Sequence, residues 1–499
     1  MAAHYLNCVS FSDGAICLAS STDVLIWQCS LLQVQQPGLV FFPNSSGYEL
    51  EASDSYWSGT AHLRPTCVIT PATADMASEA VAIMSRNNCS FAVRSGGHST
   101  ATGWANIDGG ILLATTKLSS ITIGNDSVSV GAGLRWGAVY DFLDPHNLTV
   151  VGGRGAEVGV GGLVLGGGVS HFTPGLGLAC DNIVTSNGQI REASAESHAD
   201  LWQALKGTQN FFGIVTRFDL YTFPSPQLHS VGFSMSMDSF DQVATTYNKY
   251  IREDSGRENA EHLAVGLTSY YVPFLGAPSL HLDLLSTRGA EEDSWIEENS
   301  TRLRLPNAIT RFAELPVSAP TENRGTMADF GSGAPIPKLR YDLRTFSFQS
   351  SLEMLKGIKE IFEQEITAVQ EADASLAGII EWQLITENAI KQGVFKGGNM
   401  LGLEGSGPLI VFTMANSWTD VSRDLAAHVA GQRVVDRGIA LAQSLGVYRP
   451  FLYANYAANG QNVLDSYGKK NVAMLSQLRR KYDSGNELPI LMPGGLSGM

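Results

Sequence analysis

The chain has 499 residues, 44% hydrophobic and 16% charged, the proportions of an ordinary globular protein. Its 48 acidic residues outnumber 33 basic ones, the pI lies near 5.1, and no basic cluster interleaves with aromatics, which excludes nucleic acid as a partner. No apolar run reaches the ~20 residues of a membrane span, and the length exceeds one compact core, so two domains are expected.

The first 63 residues contain no Lys or Arg, and Asp13 and Asp23 interrupt a mildly apolar start, so no clean signal peptide is read there. Six cysteines (8, 17, 29, 67, 89 and 180) are too few for a disulfide scaffold and match no zinc spacing, so no metal site is expected. Sequons at Asn44, Asn88, Asn125, Asn147 and Asn299 are candidate glycosylation sites and permit a secretory route, but the compartment stays open.

From about Leu63 to Pro226 short β-branched runs alternate with glycine turns, which predicts several strands. Strands are expected at Cys67–Thr70, Phe91–Val93, Ile111–Leu113, Ser127–Val130 and Phe212–Phe218. A helix capped by Thr73 is expected up to Asn87. Beyond Pro226, His229–Met237, His262–Val272, Ser279–Thr287 and Pro408–Trp418 alternate as strands of a half-buried antiparallel sheet. Ser351–Glu371 and Val421–Leu445 have helical spacing, whereas the Gly/Pro-rich stretch Thr326–Lys338 reads as a loop. Strands with long helices on one face predict an α+β class.

Two glycine clusters carry the chemistry. In Arg94-Ser95-Gly96-Gly97-His98-Ser99 a strand ends in a tight turn followed by an imidazole, which when neutral is a competent nucleophile. Between Gly152 and Gly168 nine of seventeen residues are glycine, as suits a backbone lying against something flat or anionic. Val and Leu recur there and Ser is absent, unlike a flexible linker. No G-x-G-x-x-G and no Walker-type loop occurs, so a Rossmann reading fails.

Taken in order, Ala92–Ser99, the glycine run into Leu178–Asn182, Ala204–Gly207, Phe212–Leu220 and Tyr453-Ala-Asn-Tyr456 resemble the berberine-bridge-enzyme-like FAD-linked oxidases of the vanillyl-alcohol-oxidase group, fungal branch. The resemblance implies a PCMH-type bipartite FAD-binding domain with an inserted substrate domain. Its divisions would be an N-terminal arm (1–58), the FAD domain (59–226), an antiparallel-sheet-plus-helices cap (227–446) and a C-terminal segment returning to the FAD domain (447–499). It further implies a covalent bond from His98 to the 8α carbon of FAD. Relatives with a second, cysteinyl tether carry it where this chain has Gly155-Ala156-Glu157, so a single link is expected.

The family pattern assigns cofactor contacts to Ser95, Gly96, Gly97, Ser99, Gly159, Gly161, Gly162, Gly166, Gly167, Gly213, Ile214, Val215 and Asn455. Arg94 either steadies the pyrophosphate or pairs with a carboxylate, ligand contact being favoured. Asn182 is counted with the cofactor contacts, although it and Asp181 serve equally well as a turn or cap, and the segment after them is shorter than the family strand. Cys180 is expected to pack as a small buried residue. Cys29 and Cys89 align with a pair often disulfide-linked in secreted relatives.

Phe451–Tyr456 alternates, which would put Tyr453 and Asn455 on one strand face. Tyr453 is the preferred base, Tyr456 the alternative, and Gln383 a substrate-side hydrogen-bonding group. Val169 stands where some relatives carry a further catalytic tyrosine, and His171 is either a second base or structural. The resulting expectation is a monomeric flavin-dependent oxidase of a small molecule, a fungal secondary-metabolite intermediate, with dioxygen as acceptor. A carbohydrate oxidase and a non-catalytic secreted binding protein on a degenerate oxidase scaffold are the alternatives.

Overall fold

The computed structural model describes residues 7–11, 14–18, 21–178, 183–184, 190–257, 259–288, 295, 305–331, 337–372 and 375–498. A small sheet in the order Val40–Phe41, Cys67–Ile69, Ile111–Ala114 and Phe91–Arg94 is parallel except at its first strand. Its inner strands are buried, and their continuous apolar runs follow from coverage on both faces. The helix Ala74–Arg86 starts where the Thr73 hydroxyl accepts from the Met76 N–H at 3.2 Å, and it buries Ala77, Ala80, Val81, Ile83 and Met84. An antiparallel sheet follows, ordered Ile121–Ile123, Ser127–Gly131, Arg217–Pro224 and Leu148–Val150. The strand expected from Phe212 begins only at Arg217, because Gly213 takes φ +142° and breaks the extended path.

The rest is organised by an eight-stranded antiparallel sheet. Its order is Ser318–Gly325, Leu228–Ser236, Ser279–Ser286, Leu263–Tyr271, Ala377–Ile385, Leu409–Trp418, Arg340–Phe348 and Tyr448–Arg449. One face, with Phe346, Ile380, Trp382, Phe412 and Met414, is buried in the main core, while alternate positions such as Glu381 and Thr268 face the other way. The helices Leu352–Gln370 and Asp424–Ser444 belong to this core, the first capped by Ser351 onto the Met354 N–H at 3.3 Å. At Gly438 a Cβ would stand 2.7 Å from both Ile358 and Phe346, so glycine sets how closely helix meets sheet.

Three expectations need correction. Within the stretch read as a loop, Met327–Gly331 is a short helix, closed where the Asp329 carboxylate accepts from the Thr326 N–H at 2.8 Å. The Phe451–Tyr456 run is no strand but turns into a 3-10 helix at Ala454–Tyr456. Cys29 is bonded to Cys67, not to Cys89. All three cysteines pack in one apolar cluster, but the strand start at Cys67 brings its Cα within 6.1 Å of Cys29, and Cys89 keeps a buried thiol pushed up to about 12 by burial.

Asp181, Asn182, Cys180 and Asn299 lie outside the described residues. Of the shortened segment, Ile183–Val184 pairs with Ile190–Arg191 as a two-residue ladder. The other four sequon asparagines are exposed, three of them at left-handed turn positions (Asn44, Asn88 and Asn147). Among the described residues no helix is long and apolar enough to cross a membrane, and no group of metal-ligating side chains occurs.

Candidate active site

The two glycine clusters meet. A Cβ on Gly96 would stand 2.4 Å from the Cα of Gly159, so only paired glycines allow this approach. The Ser95 hydroxyl clamps the contact, donating to the Ala132 carbonyl at 2.6 Å and accepting from the Gly161 N–H at 3.2 Å. A Cβ on Gly162 would meet nothing within 4 Å, whereas one on Gly166 would collide with the Asn455 side chain. Ser99 caps the next turn, accepting from the Ala101 N–H at 3.3 Å.

The turn itself needs Gly97 at φ +68°, where a side chain would meet the Ser55 carbonyl. It presents His98 to Trp57, ring on ring at 4.4 Å and 13°, and Trp57 stacks in turn on Tyr341 of the large sheet at 4.1 Å. His98 Nε2 is buried without a hydrogen-bond partner. Burial, reinforced by the nearby Arg135 guanidinium, lowers the imidazole to about 4, so it is neutral at physiological pH. The site therefore holds an uncharged ring with a free nitrogen.

Arg94 pairs with a carboxylate, the alternative weighed beside ligand contact. Its guanidinium is buried and donates to the Glu51 carboxylate, to Thr116 Oγ1 at 3.1 Å and to the Ser95 carbonyl at 3.0 Å. Burial requires such a partner, and Glu51 supplies it from a π-helical turn at Leu50–Asp54. Sequence reasoning weighed a carboxylate without finding which one. Gly213–Val215 is irregular, with Ile214 in the small-sheet core and Val215 in the main core.

A second cluster joins the glycine-rich segment to the large sheet. Arg154 Nη2 donates to the Tyr456 hydroxyl at 2.9 Å, and Nη1 to Glu381 at 3.2 Å. With its amide oxygen turned toward the guanidinium, Gln383 accepts from both nitrogens at 3.1 and 3.3 Å. Burial holds the Tyr456 phenol well above its ordinary value, and Arg154 offsets part of that rise.

Tyr453 is placed differently. Its buried hydroxyl accepts from the Val169 N–H and from Asn455 Nδ2, each at 3.0 Å, and its ring lies against Gly167. Asn455 also donates to the Leu163 carbonyl at 3.0 Å, so its side chain pins the short helix Val160–Leu165 of the glycine run. Burial and Arg154 lower His171 to about 3, which leaves it neutral beside the cluster. Arg154, alone among the glycines of its run, and Trp57 were not singled out by sequence reasoning. Arg154 stood out only as the one basic side chain of the glycine run, and nothing local marked Trp57.

A model of the FAD binding domain family matches residues 65–194. The FAD-dependent monooxygenase FUP4 of Fusarium proliferatum is 32% identical over 467 residues, covering 90% of this chain and 88% of the relative. Among solved structures, Physcomitrella patens BBE-like 1 superposes with TM-score 0.74 at 16% identity, over 92% of this chain and 97% of that one. Glucooligosaccharide oxidase from Acremonium strictum, with its 6-S-cysteinyl, 8α-N1-histidyl FAD, does so with TM-score 0.74 at 16% identity, over 94% and 98%.

Fold and relatives together define an FAD-dependent oxidoreductase with a PCMH-type α+β fold. Within that class the chain belongs to the berberine-bridge-enzyme-like FAD-linked family, in its fungal branch. The residues present fit FAD. The touching glycine backbones offer a side-chain-free bed, and the orphaned nitrogen of neutral His98 suits a bond to the flavin. Gly155–Glu157 provides no thiol for a second one.

Proposed function

We propose that this chain is an oxidase carrying FAD on a single histidyl link at His98, and that it oxidises a small-molecule intermediate of fungal secondary metabolism with dioxygen as the final acceptor. The observation that carries this reading is the buried, neutral and unpartnered ring nitrogen of His98 at the end of the glycine turn. The FAD that His98 and the paired glycine backbones would hold would supply two-electron oxidation of the substrate and reoxidation by dioxygen. The stack of Trp57 and Tyr341 holds the imidazole in one orientation.

Substrate deprotonation falls to Tyr456 rather than Tyr453, the first choice from sequence. The Tyr453 hydroxyl is engaged by two donors of the fold, whereas the Tyr456 hydroxyl accepts from Arg154, whose charge offsets part of the rise that burial imposes on the phenol. Glu381 and Gln383 fix the guanidinium from the opposite side. Neutral His171 adds no competing charge.

The test is the fate of oxygen. The flavin-loaded enzyme is supplied with ¹⁸O₂ and a panel of benzylic and allylic alcohols, amines and oligosaccharides. An oxidase releases one peroxide per product and leaves the label out of the product. Label in the product would instead establish monooxygenation, the activity in the relative's name. Turnover of sugars alone would favour a carbohydrate oxidase, and protein that never binds flavin would favour a binding role.

A further inference from the structure

We propose that His281 and Asp283 form a second recognition point for the substrate, reading a hydroxyl on an aromatic ring remote from the reacting carbon. This rests on the assignment of the Arg154–Tyr456 cluster as the place of reaction.

The argument starts from sheet register. Asp283 pairs with Gly266, and Gly266 pairs with Gln383, so these three residues share one face in a row across neighbouring strands. The adjacent row on the same face is His281, Thr268 and Glu381. At ~4.8 Å between strands, Asp283 and Gln383 stand about 10 Å apart with one strand between them. That strand contributes Gly266, where a Cβ would meet only Asp283 Cβ, at 3.8 Å, and otherwise open space. The result is a slot about one ring wide, with Gln383, Glu381 and Arg154 along one wall and Asp283 and His281 along the other.

The far wall is built rather than incidental. His281 Nε2 lies 3.2 Å from Asp283 Oδ1 and Nδ1 lies 3.1 Å from the Ser234 hydroxyl, so the ring is held at both nitrogens. On the next strand a Cβ at Gly232 would stand 2.9 Å from Asp283 Oδ1 and 3.3 Å from His281 Nε2, so glycine there leaves room for the pair. Tyr270 borders the slot with its ring edge toward His281. The titratable groups around the slot are Arg154, Glu381, Tyr456, His171, Tyr270, His281 and Asp283.

Beside Thr268 the Gly266 position leaves space for a flat ring, and the second carboxylate oxygen of Asp283 can accept from a ligand hydroxyl while His281 holds the first. The Asp283 side chain is 56% exposed and His281 28% exposed, so both stay open to a ligand.

The experiment compares 4-hydroxybenzyl alcohol with benzyl alcohol, read by perturbation of the flavin absorbance of the loaded enzyme. The wild type is expected to bind the hydroxylated probe at least about tenfold more tightly. In His281→Ala and separately in Asp283→Asn the preference should fall to within about twofold, with benzyl alcohol affinity and flavin content unchanged. Gly266→Leu should block both probes. A preference that survives in both polar variants overturns the inference while leaving the reaction site intact. Failure of both probes to perturb the wild-type flavin overturns the assignment of the reaction site and this inference with it.

Discussion

Arg154 and Tyr456, 302 residues apart in sequence, are joined by a 2.9 Å hydrogen bond from Nη2 to the phenol oxygen. The contact closes the chain on itself, since one partner comes from the glycine run and the other from the C-terminal segment. It also bears on the chemistry, because burial holds the phenol well above its ordinary value and the guanidinium offsets part of that rise.

Arg154→Met should therefore cost kcat/KM about 10²–10³-fold, the scale of losing one preorganised donor. With the lowering influence gone, the Tyr456 phenol rises further, so the ascending limb of the pH–rate profile shifts to higher pH. Arg154→Lys should recover part of the shift. The measurement is kcat/KM against pH at matched flavin content.

The two tyrosines should separate by readout. Tyr456→Phe removes the base and lowers kcat with little change in stability. Tyr453→Phe leaves the Val169 N–H and the Asn455 amide without their acceptor, which costs about 1–3 kcal/mol and shows in denaturant unfolding. Equal loss of activity in both variants at equal stability would contradict the assignment.

The Cys29–Cys67 bond closes a loop of 38 residues, for which chain entropy predicts a contribution of about 3–4 kcal/mol. Cys29→Ser and Cys67→Ser should lower stability alike. Cys89→Ala should change it far less. Non-reducing peptide mapping should recover the fragments holding residues 29 and 67 as one species.

Glu51 and Arg94 are a buried ion pair with side chains 7% and 2% exposed. Removing one partner strands a charge, so Glu51→Ala should destabilise by about 3–5 kcal/mol. The double variant Glu51→Ala/Arg94→Met should recover much of that loss, since no charge then remains buried. A double variant no more stable than the single one would show that the pair is not the source of the effect.

What the sequence made legible was local. The Thr73 cap, the alternation of the sheet strands and the glycine turn at His98 depend on neighbours a few residues away, and the structure has each of them. What it hid was tertiary. Cys67 and Cys89 both lie in the same apolar cluster as Cys29, and only the strand geometry selects between them. Glu51 finds Arg94 across 43 residues from an irregular turn that no periodicity announces. The alternation at Phe451–Tyr456 imitated a strand, yet Tyr453 and Asn455 meet because a tight helical turn folds one back onto the other. Arg154 was concealed by its own context, since a glycine-rich run is read for its backbone.

The central claim is the tether at His98. Burial holds that imidazole at about 4, so it stays neutral and nucleophilic as pH varies from 5 to 8, and attachment should be constant over that range. The decisive measurement is acid precipitation of the purified enzyme and of His98→Ala, followed by flavin fluorescence of the washed, denatured protein. Fluorescence retained by the wild type and absent from His98→Ala is the predicted result. Acid-stable flavin in His98→Ala, or none in the wild type, would contradict it.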